Sequence, residues 1–158
     1  MSSTLYTYLD SPVDDLLLTS DGQALTGVHF RGTAAAASWR RDDSWFKEVK
    51  RQLRDYFAGR ARMFSLRLAP QGTPFQRRVW AALQKIPFGQ TASYGELAKR
   101  IGHPGAARAV GAANGQNPIA IIIPCHRVIG ADGTLTGFGG GLQRKRTLLE
   151  LEANILAK

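Results

Sequence analysis

Ser93-Tyr94-Gly95-Glu96-Leu97-Ala98-Lys99-Arg100-Ile101-Gly102-His103-Pro104-Gly105-Ala106-Ala107-Arg108-Ala109-Val110-Gly111-Ala112-Ala113 reads as two short helices around a turn. Ser93 can cap the first helix, and Glu96 follows at the spacing of a capping box. Tyr94, Leu97, Ala98 and Ile101 recur at helical spacing, and Gly102 ends the run. His103-Pro104-Gly105 makes the turn, and Ala106 to Ala113 forms the second helix. Two short helices around a Gly-containing turn make the pattern of a helix-turn-helix. Arg108 is the one strong hydrogen-bonding side chain of the second helix. So thin a helix suits entry into a narrow groove without reading base edges, with Ala106, Ala107 and Gly111 close to the backbone and Arg108 as the long side chain. From these residues alone, Arg108 in a surface ion pair and Tyr94 as a core aromatic remain open.

The charge of the chain agrees with a polyanionic partner. The net charge is +9, and the pI is near 10.3. From Gln76 onward there are eleven bases against four acids, a net +7, while the first 75 residues carry +2. The second half is therefore the part expected to meet nucleic acid.

The same half holds the only cysteine, in Ile121-Ile122-Ile123-Pro124-Cys125-His126-Arg127-Val128. The isoleucines read as a buried strand or core segment, and the proline fixes the backbone before the thiol. A thiol near its usual pKa of about 8.5 supplies little thiolate at neutral pH. His126 can take its proton, directly or through a water, and Arg127 adds positive charge nearby. A Cys-His pair by itself is equally compatible with a buried structural thiol. A single cysteine excludes an internal disulfide framework and any zinc site built on several cysteines, and His29, His103 and His126 lack ligand spacing, so no metal is expected. No Gly-rich cofactor fingerprint is present either, and no cofactor is expected. No stretch is apolar enough to span a bilayer, Met1-Ser2-Ser3-Thr4 lacks a secretory pattern, and a reactive thiol favours a reducing compartment, so the expected location is cytoplasmic.

The first 70 residues read as a small α/β domain. Leu5-Tyr6-Thr7-Tyr8 is a first strand, and Leu16 to Thr19 with Ala24 to Phe30 form a hairpin around Ser20-Asp21-Gly22. Arg31 to Arg41 is loop-like. Trp45, Phe46, Val49, Leu53, Tyr56 and Phe57 recur at helical spacing with Gly59 as the stop. Phe64, Leu66 and Leu68 alternate as a returning strand. Ala69-Pro70-Gln71-Gly72-Thr73-Pro74 is a boundary, with Thr73 a good N-cap and Pro74 suited to the first helical position. The expected domains are 1–70, a structural domain, and 74–158, which carries the chemistry.

The string from Gly115-Gln116-Asn117-Pro118 to Pro124-Cys125-His126-Arg127-Val128 resembles the active-site motif of the O6-alkylguanine-DNA alkyltransferases. The resemblance runs from Thr73-Pro74-Phe75-Gln76 to Leu149-Glu150-Leu151-Glu152, about half the chain. It implies an α+β protein with a ribonuclease-H-like N-terminal domain and a mostly helical, winged helix-turn-helix domain carrying the cysteine. It implies a DNA-repair activity in which O6-alkylguanine is flipped out of the duplex and its alkyl group moves irreversibly to Cys125; O4-alkylthymine stays open as a second substrate. A non-catalytic lesion-binding protein of the same fold is the alternative, and the presence of Cys125 argues against it. The partner implied is double-stranded DNA held through its minor groove by a monomer, with cooperative assembly along DNA left open.

The resemblance also assigns roles. Glu152 matches the glutamate that hydrogen-bonds the active-site histidine, with Glu150 as the neighbouring candidate, giving a chain from Glu152 through His126 and a water to Cys125. Asn117 matches the residue that holds the active-site turn. Tyr94 matches the tyrosine that crowds the phosphate beside the lesion, Arg108 the arginine that fills the vacated place, and Arg127 adds a DNA-side charge. Phe138, Gly139 and Gly140 belong to a Gly-rich pocket loop, where glycine permits close approach to a planar base. The family commonly has a tyrosine where this chain has Phe138, which cannot donate a hydrogen bond. Val128 to Thr136 reads as a hairpin or wing. Leu142 to Leu156 reads as a final amphipathic helix with Leu148, Leu149, Leu151 and Ile155 apolar and Arg144, Lys145 and Arg146 facing phosphates.

Overall fold

The computed structural model describes residues 4–135, 138 and 140–158. The chain forms two compact units, Met1–Pro70 and Gln71–Lys158.

The first unit is built on a four-stranded sheet in the order β3-β2-β1-β4. Strand β1 (Leu5–Leu9) buries Leu5, Thr7 and Leu9 and turns Tyr6 and Tyr8 outward, the alternation expected of a half-covered strand. Strand β2 (Leu16–Ser20) is buried throughout and pairs antiparallel with β1 and with β3 (Leu25–His29). In the hairpin between them Gly22 takes φ +92°, and the Asp21 carboxylate accepts from the Gln23 and Ala24 amides. The turn is thus made by a residue that tolerates positive φ and a side chain that caps its own backbone. Two expectations fail in this unit. Within the stretch read as a loop, Arg40–Arg41 forms β4, parallel to β1; two exposed arginines carry no apolar alternation to announce a strand. The reverse holds for Phe64, Leu66 and Leu68, whose contact with the sheet is a single bridge from Leu68 to Leu25. Helix α1 (Lys47–Phe57) buries Val49, Gln52, Leu53 and Tyr56 and stops before Gly59 at φ +79°. Trp45 and Phe46 precede it instead of lying inside it.

The second unit begins with helix α2 (Pro74–Leu83). Thr73 caps it, Gln76 closes the capping box, and Pro74 occupies the first turn. Val79, Trp80 and Leu83 are its buried face, and Trp80 Nε1 donates to the Ala113 carbonyl at 2.8 Å. Strand β5 (Ala92–Ser93) runs into helix α3 (Tyr94–Arg100), capped by Ser93 with Glu96 in the same box arrangement. Gly102 at φ +80° ends the turn of chain after α3, and helix α4 (Ala107–Gly115) packs against α3 and α2. The helix-turn-helix is therefore present, and the α+β class holds. Strand β6 (Val128–Ile129) pairs parallel with β5, and among the described residues with no part of the segment that follows it. Of the expected wing the described residues show a turn closed by Gly130 N–H to the Thr134 carbonyl at 2.8 Å; Thr136 lies outside the described residues. Helix α5 (Leu142–Leu156) has the expected limits.

The α2 capping box satisfies two amide groups that the helix itself leaves without partners. Thr73→Ala should lower stability by about 1 kcal/mol, while Thr73→Ser should be nearly neutral. Urea unfolding midpoints of the two variants check this.

Candidate active site

Cys125 is presented by a knot of tight turns, not by a strand. After α4, residues 119–123 are buried, but Ile121 has φ +72°, a region that β-branched residues rarely enter. The Ile122 amide donates to the Ala120 carbonyl across it at 2.8 Å, closing a γ-turn. Pro124, at φ −80° and ψ 66°, makes an inverse γ-turn in which the Cys125 amide donates to the Ile123 carbonyl at 2.8 Å. Cys125–Arg127 then form a single 3-10 turn that runs into β6. The reading of the isoleucines as buried core is right and their reading as a strand is not. The apolar run is too tightly turned to offer a ladder of hydrogen bonds.

Two asparagines hold this path. Asn117 Nδ2 donates to the Ile123 carbonyl at 2.8 Å, and its Oδ1 accepts from the Ile119 amide at 3.0 Å. The Asn117 side chain also hydrogen-bonds the Cys125 thiol and favours its ionised form. Asn114, beyond the Ala106 to Ala113 helix of the sequence reading and assigned no role there, is buried in α4 and donates to the Cys125 carbonyl at 3.3 Å. The helix whose first turn exposes Arg108 is thus tied at its other end to the backbone of the cysteine.

The acid-base group is buried. His126 is fully buried, and its Nε2 lies 2.7 Å from Glu152 Oε2. With Glu152 ionised, Nε2 carries the proton and the lone pair sits on Nδ1, which is buried without a hydrogen-bond partner among the described residues. Glu152 Oε1 also accepts from Arg127 Nε at 2.9 Å and from the Gly89 amide at 3.0 Å, and Oε2 from Arg127 Nη2 at 3.0 Å. Gly89 stands at φ +79°, and a Cβ there would come within 1.9 Å of Leu156 Cδ1, so glycine alone brings that amide to the carboxylate. Burial alone would raise the Glu152 pKa, but hydrogen bonds from His126 and Arg127 outweigh it and hold the carboxyl far below its ordinary 4.5. Burial pushes His126 below its ordinary 6.5 in spite of the carboxylate. Burial also pushes the Cys125 thiol up to about 11, against the opposing effects of Asn117 and Lys145. At rest the site holds a thiol, a neutral imidazole and a carboxylate.

Lys145 overturns an expectation. Instead of facing phosphates it is fully buried, with Nζ 6.0 Å from the Tyr94 ring centroid and 5.9 Å from that of Phe138. Burial brings its ammonium down to about 8. The buried face of α5 is Lys145, Leu148 and Glu152, seven residues or two turns long, so polar side chains occupy part of what apolar periodicity would assign to the core. Leu149, Leu151 and Ile155 are only half-buried. Of the other expected phosphate contacts, Arg146 is exposed, and Arg144 donates to the Gly140 carbonyl at 2.9 Å.

Arg127 is the second correction. Expected on the DNA side, it is buried, with Nη1 donating to the Ile86 carbonyl at 2.7 Å and the rest of its fork on Glu152. Tyr94 begins α3 and packs its ring against Gly111 of α4, where a Cβ would meet it at 3.6 Å. Ala106 and Ala107 are half-buried at the start of α4. Glu150 is exposed, away from the histidine that Glu152 engages. Gly139 lies outside the described residues. Among the described residues no cluster of three His, Cys, Asp or Glu could hold a metal ion.

Comparison with known proteins adds an independent line. Residues 74–154 match the family model described as 6-O-methylguanine DNA methyltransferase, DNA binding domain, and residues 4–70 match the ribonuclease-like domain of the same proteins. A methylated-DNA–protein-cysteine methyltransferase of Methanosarcina acetivorans is 50% identical over 153 residues, covering 94% of this chain and 98% of that protein. The protein of that name from Mycobacterium bovis is 54% identical over 150 residues, covering 93% and 91%. The crystal structure of Mycobacterium tuberculosis OGT in complex with DNA superposes with a TM-score of 0.91 at 53% identity, covering 96% of this chain and 94% of that one.

The buried dyad makes stability pH-dependent. The unfolded chain takes a proton on His126 below about 6.5 and one on Glu152 below about 4.5, and the folded chain resists both. Stability should therefore fall as pH drops through 6.5 and more steeply below 4.5. Glu152→Gln should be less stable at pH 7 by about 3 kcal/mol or more, since it leaves Arg127 buried without its charge partner, and its acid limb should be shallower. Urea midpoints between pH 3.5 and 8 test both.

Proposed function

This chain belongs to the 6-O-methylguanine DNA methyltransferase family, and we propose that Cys125 is the acceptor to which it transfers the alkyl group of O6-alkylguanine in DNA. The protein is a methylated-DNA–protein-cysteine methyltransferase, and DNA is its partner. The observation that carries the assignment of Cys125 is the buried set of thiol, neutral imidazole and carboxylate, joined through Asn114 to the helix that exposes Arg108.

The thiol is protonated at rest because burial disfavours the thiolate. As its sulfur attacks the alkyl carbon, the proton passes through a water to Nδ1 of His126, and Glu152 stabilises the imidazolium that forms, the logic of a hydrolase triad. The new bond is sulfur to carbon, and the bond broken is carbon to guanine O6. Negative charge then grows on the departing base. Phe138 has no hydroxyl to meet it. Tyr94 and Lys145 stand on the same side of the site, and the Lys145 ammonium supplies positive charge there. A thioether has no facile route back to thiol, so each molecule acts once, with no cofactor.

A cysteine inside a protein cannot reach an alkyl group within a stacked duplex, so the nucleotide must leave the stack. In this reading α4 enters the minor groove, its small side chains allow close approach, Tyr94 crowds the phosphate and Arg108 fills the vacated place. A monomer suffices for this. In this reading the protein works in a reducing compartment, the cytoplasm, which a free thiol favours.

Intact mass after mixing with a methylated duplex should show one stoichiometric CH2 increment on the wild type and none on Cys125→Ser, which should still bind DNA. An increment retained by Cys125→Ser would end the assignment.

Arg108 separates flipping from chemistry. Unstacking costs a few kcal/mol, and each 1.36 kcal/mol not recovered is tenfold in rate. Arg108→Ala should therefore slow repair of duplex by roughly ten- to a hundredfold and affect a free methylated base far less. Equal losses on both substrates would assign Arg108 to the fold instead.

A further inference from the structure

Arg127 is a buried arginine that the transfer chemistry above does not use. Its guanidinium lies edge-on to Glu152, Nε to Oε1 at 2.9 Å and Nη2 to Oε2 at 3.0 Å, with Nη1 on the Ile86 carbonyl at 2.7 Å and the Phe88 ring centroid 5.7 Å from Cζ. Each oxygen of Glu152 thus accepts one bond from Arg127 and one from another group, His126 on Oε2 and Gly89 on Oε1. The groove-facing role expected of this charge is closed to it.

We propose that Arg127 is a positioning residue for proton transfer: by pairing with both oxygens of Glu152 it keeps His126 neutral, and therefore able to act as a base, until the alkyl group arrives. This rests on the reading of Cys125 as the acceptor. An imidazole buried against an unpaired carboxylate is driven to protonate, because one buried negative charge without a counter-charge is costly. A His126 already protonated at rest has no lone pair for the thiol proton. With Arg127 on the same carboxylate the pair is already neutral, and the imidazole hydrogen-bonds it without having to balance its charge. The fork also fixes the plane of the carboxylate, which aims Nε2–H at Oε2 and leaves Nδ1 as the basic atom.

Of the charges facing His126, Lys145 on α5 acts in the same sense as Arg127, and Glu152 on α5 acts against both; the Cys125 thiol precedes His126 on its own turn. Helix α2, also packed on this turn, buries Val79, Trp80 and Leu83, and the segment after it supplies the Ile86 carbonyl, the Phe88 ring and the Gly89 amide, none of them titratable. Burial and Arg127 both press the His126 pKa downward against the pull of Glu152.

The test is the pH dependence of the second-order rate of methyl transfer from a methylated duplex oligonucleotide, together with a direct titration of the His126 ring by nitrogen NMR. Arg127→Gln should shift the acid limb of the rate, and the His126 titration, upward by about one pH unit, which is tenfold in the proton affinity of the ring. Arg127→Lys retains charge without the fork. It should keep the limb near its wild-type position while lowering the plateau rate. A uniform loss of rate in Arg127→Gln with both the limb and the ring titration unmoved would make Arg127 merely structural and overturn the proposal. Should Arg127→Gln not fold, a limb in Arg127→Lys shifted as far as one pH unit would overturn it as well. The ring titration does not depend on alkyl transfer. A wild type that fails to methylate Cys125 therefore refutes the acceptor reading, while the titration still decides the charge role of Arg127.

Discussion

Burying a carboxylate away from water costs several kcal/mol unless donors surround it. Glu152 is surrounded by three donor residues from two parts of the second unit: His126 and Arg127 from the 3-10 turn, and Gly89 from the segment after α2. The loop after α2 must pass at φ +79° to present its amide, helix α5 must bring the carboxylate in on the same face as Lys145 and Leu148, and the turn after Pro124 must place two consecutive side chains on one acceptor. Removing any donor leaves charge unmet in a buried site. The helix, the loop and the turn are therefore held in a single arrangement by one ionised group.

The strain in the cysteine turn belongs to the same economy of placement. The classic γ-turn that holds Ile121 at φ +72° is an unfavourable conformation, and it persists because Asn117, Asn114 and the surrounding isoleucines over-determine the path. The outcome is a thiol whose pKa is raised by burial. That keeps it inert to solvent while leaving the proton acceptor a short distance along the chain. Reactivity is then conditional on a substrate entering the pocket, which suits a residue that can be used once.

The link from α4 to this turn explains why the helix proposed to face DNA can be so plain. Its first turn leaves Arg108 exposed, its middle lets Gly111 lie against Tyr94, and its end supplies Asn114 to the cysteine backbone and the Ala113 carbonyl to Trp80. Small residues are demanded by the packing of α4 on α2 and α3, and on the other side they suit the proposed approach to DNA.

Much of this was legible in the order of residues, because the signals were local. The N-cap at Thr73 with Pro74 after it, the capping box at Ser93–Glu96, the Asp21-Gly22 turn, the glycine stops at Gly59 and Gly102 and the limits of α5 all depend on neighbours within a turn of chain, and the structure has each of them. The pairing of His126 with Glu152, 26 residues apart, came from the family motif and not from any local signal. What the order of residues could not decide was the fate of side chains whose partners are distant. Arg127 and Lys145 look like surface charge until Glu152, Ile86, Tyr94 and Phe138 are brought around them. Arg40–Arg41 looks like loop until β1 offers a free edge, and Asn114 looks like filler until the cysteine turn comes to lie beside α4. In each case hydrogen bonding and desolvation across the fold outweigh local propensity, since a charged group buried beside its partner is a stable solution that no periodicity in the chain records.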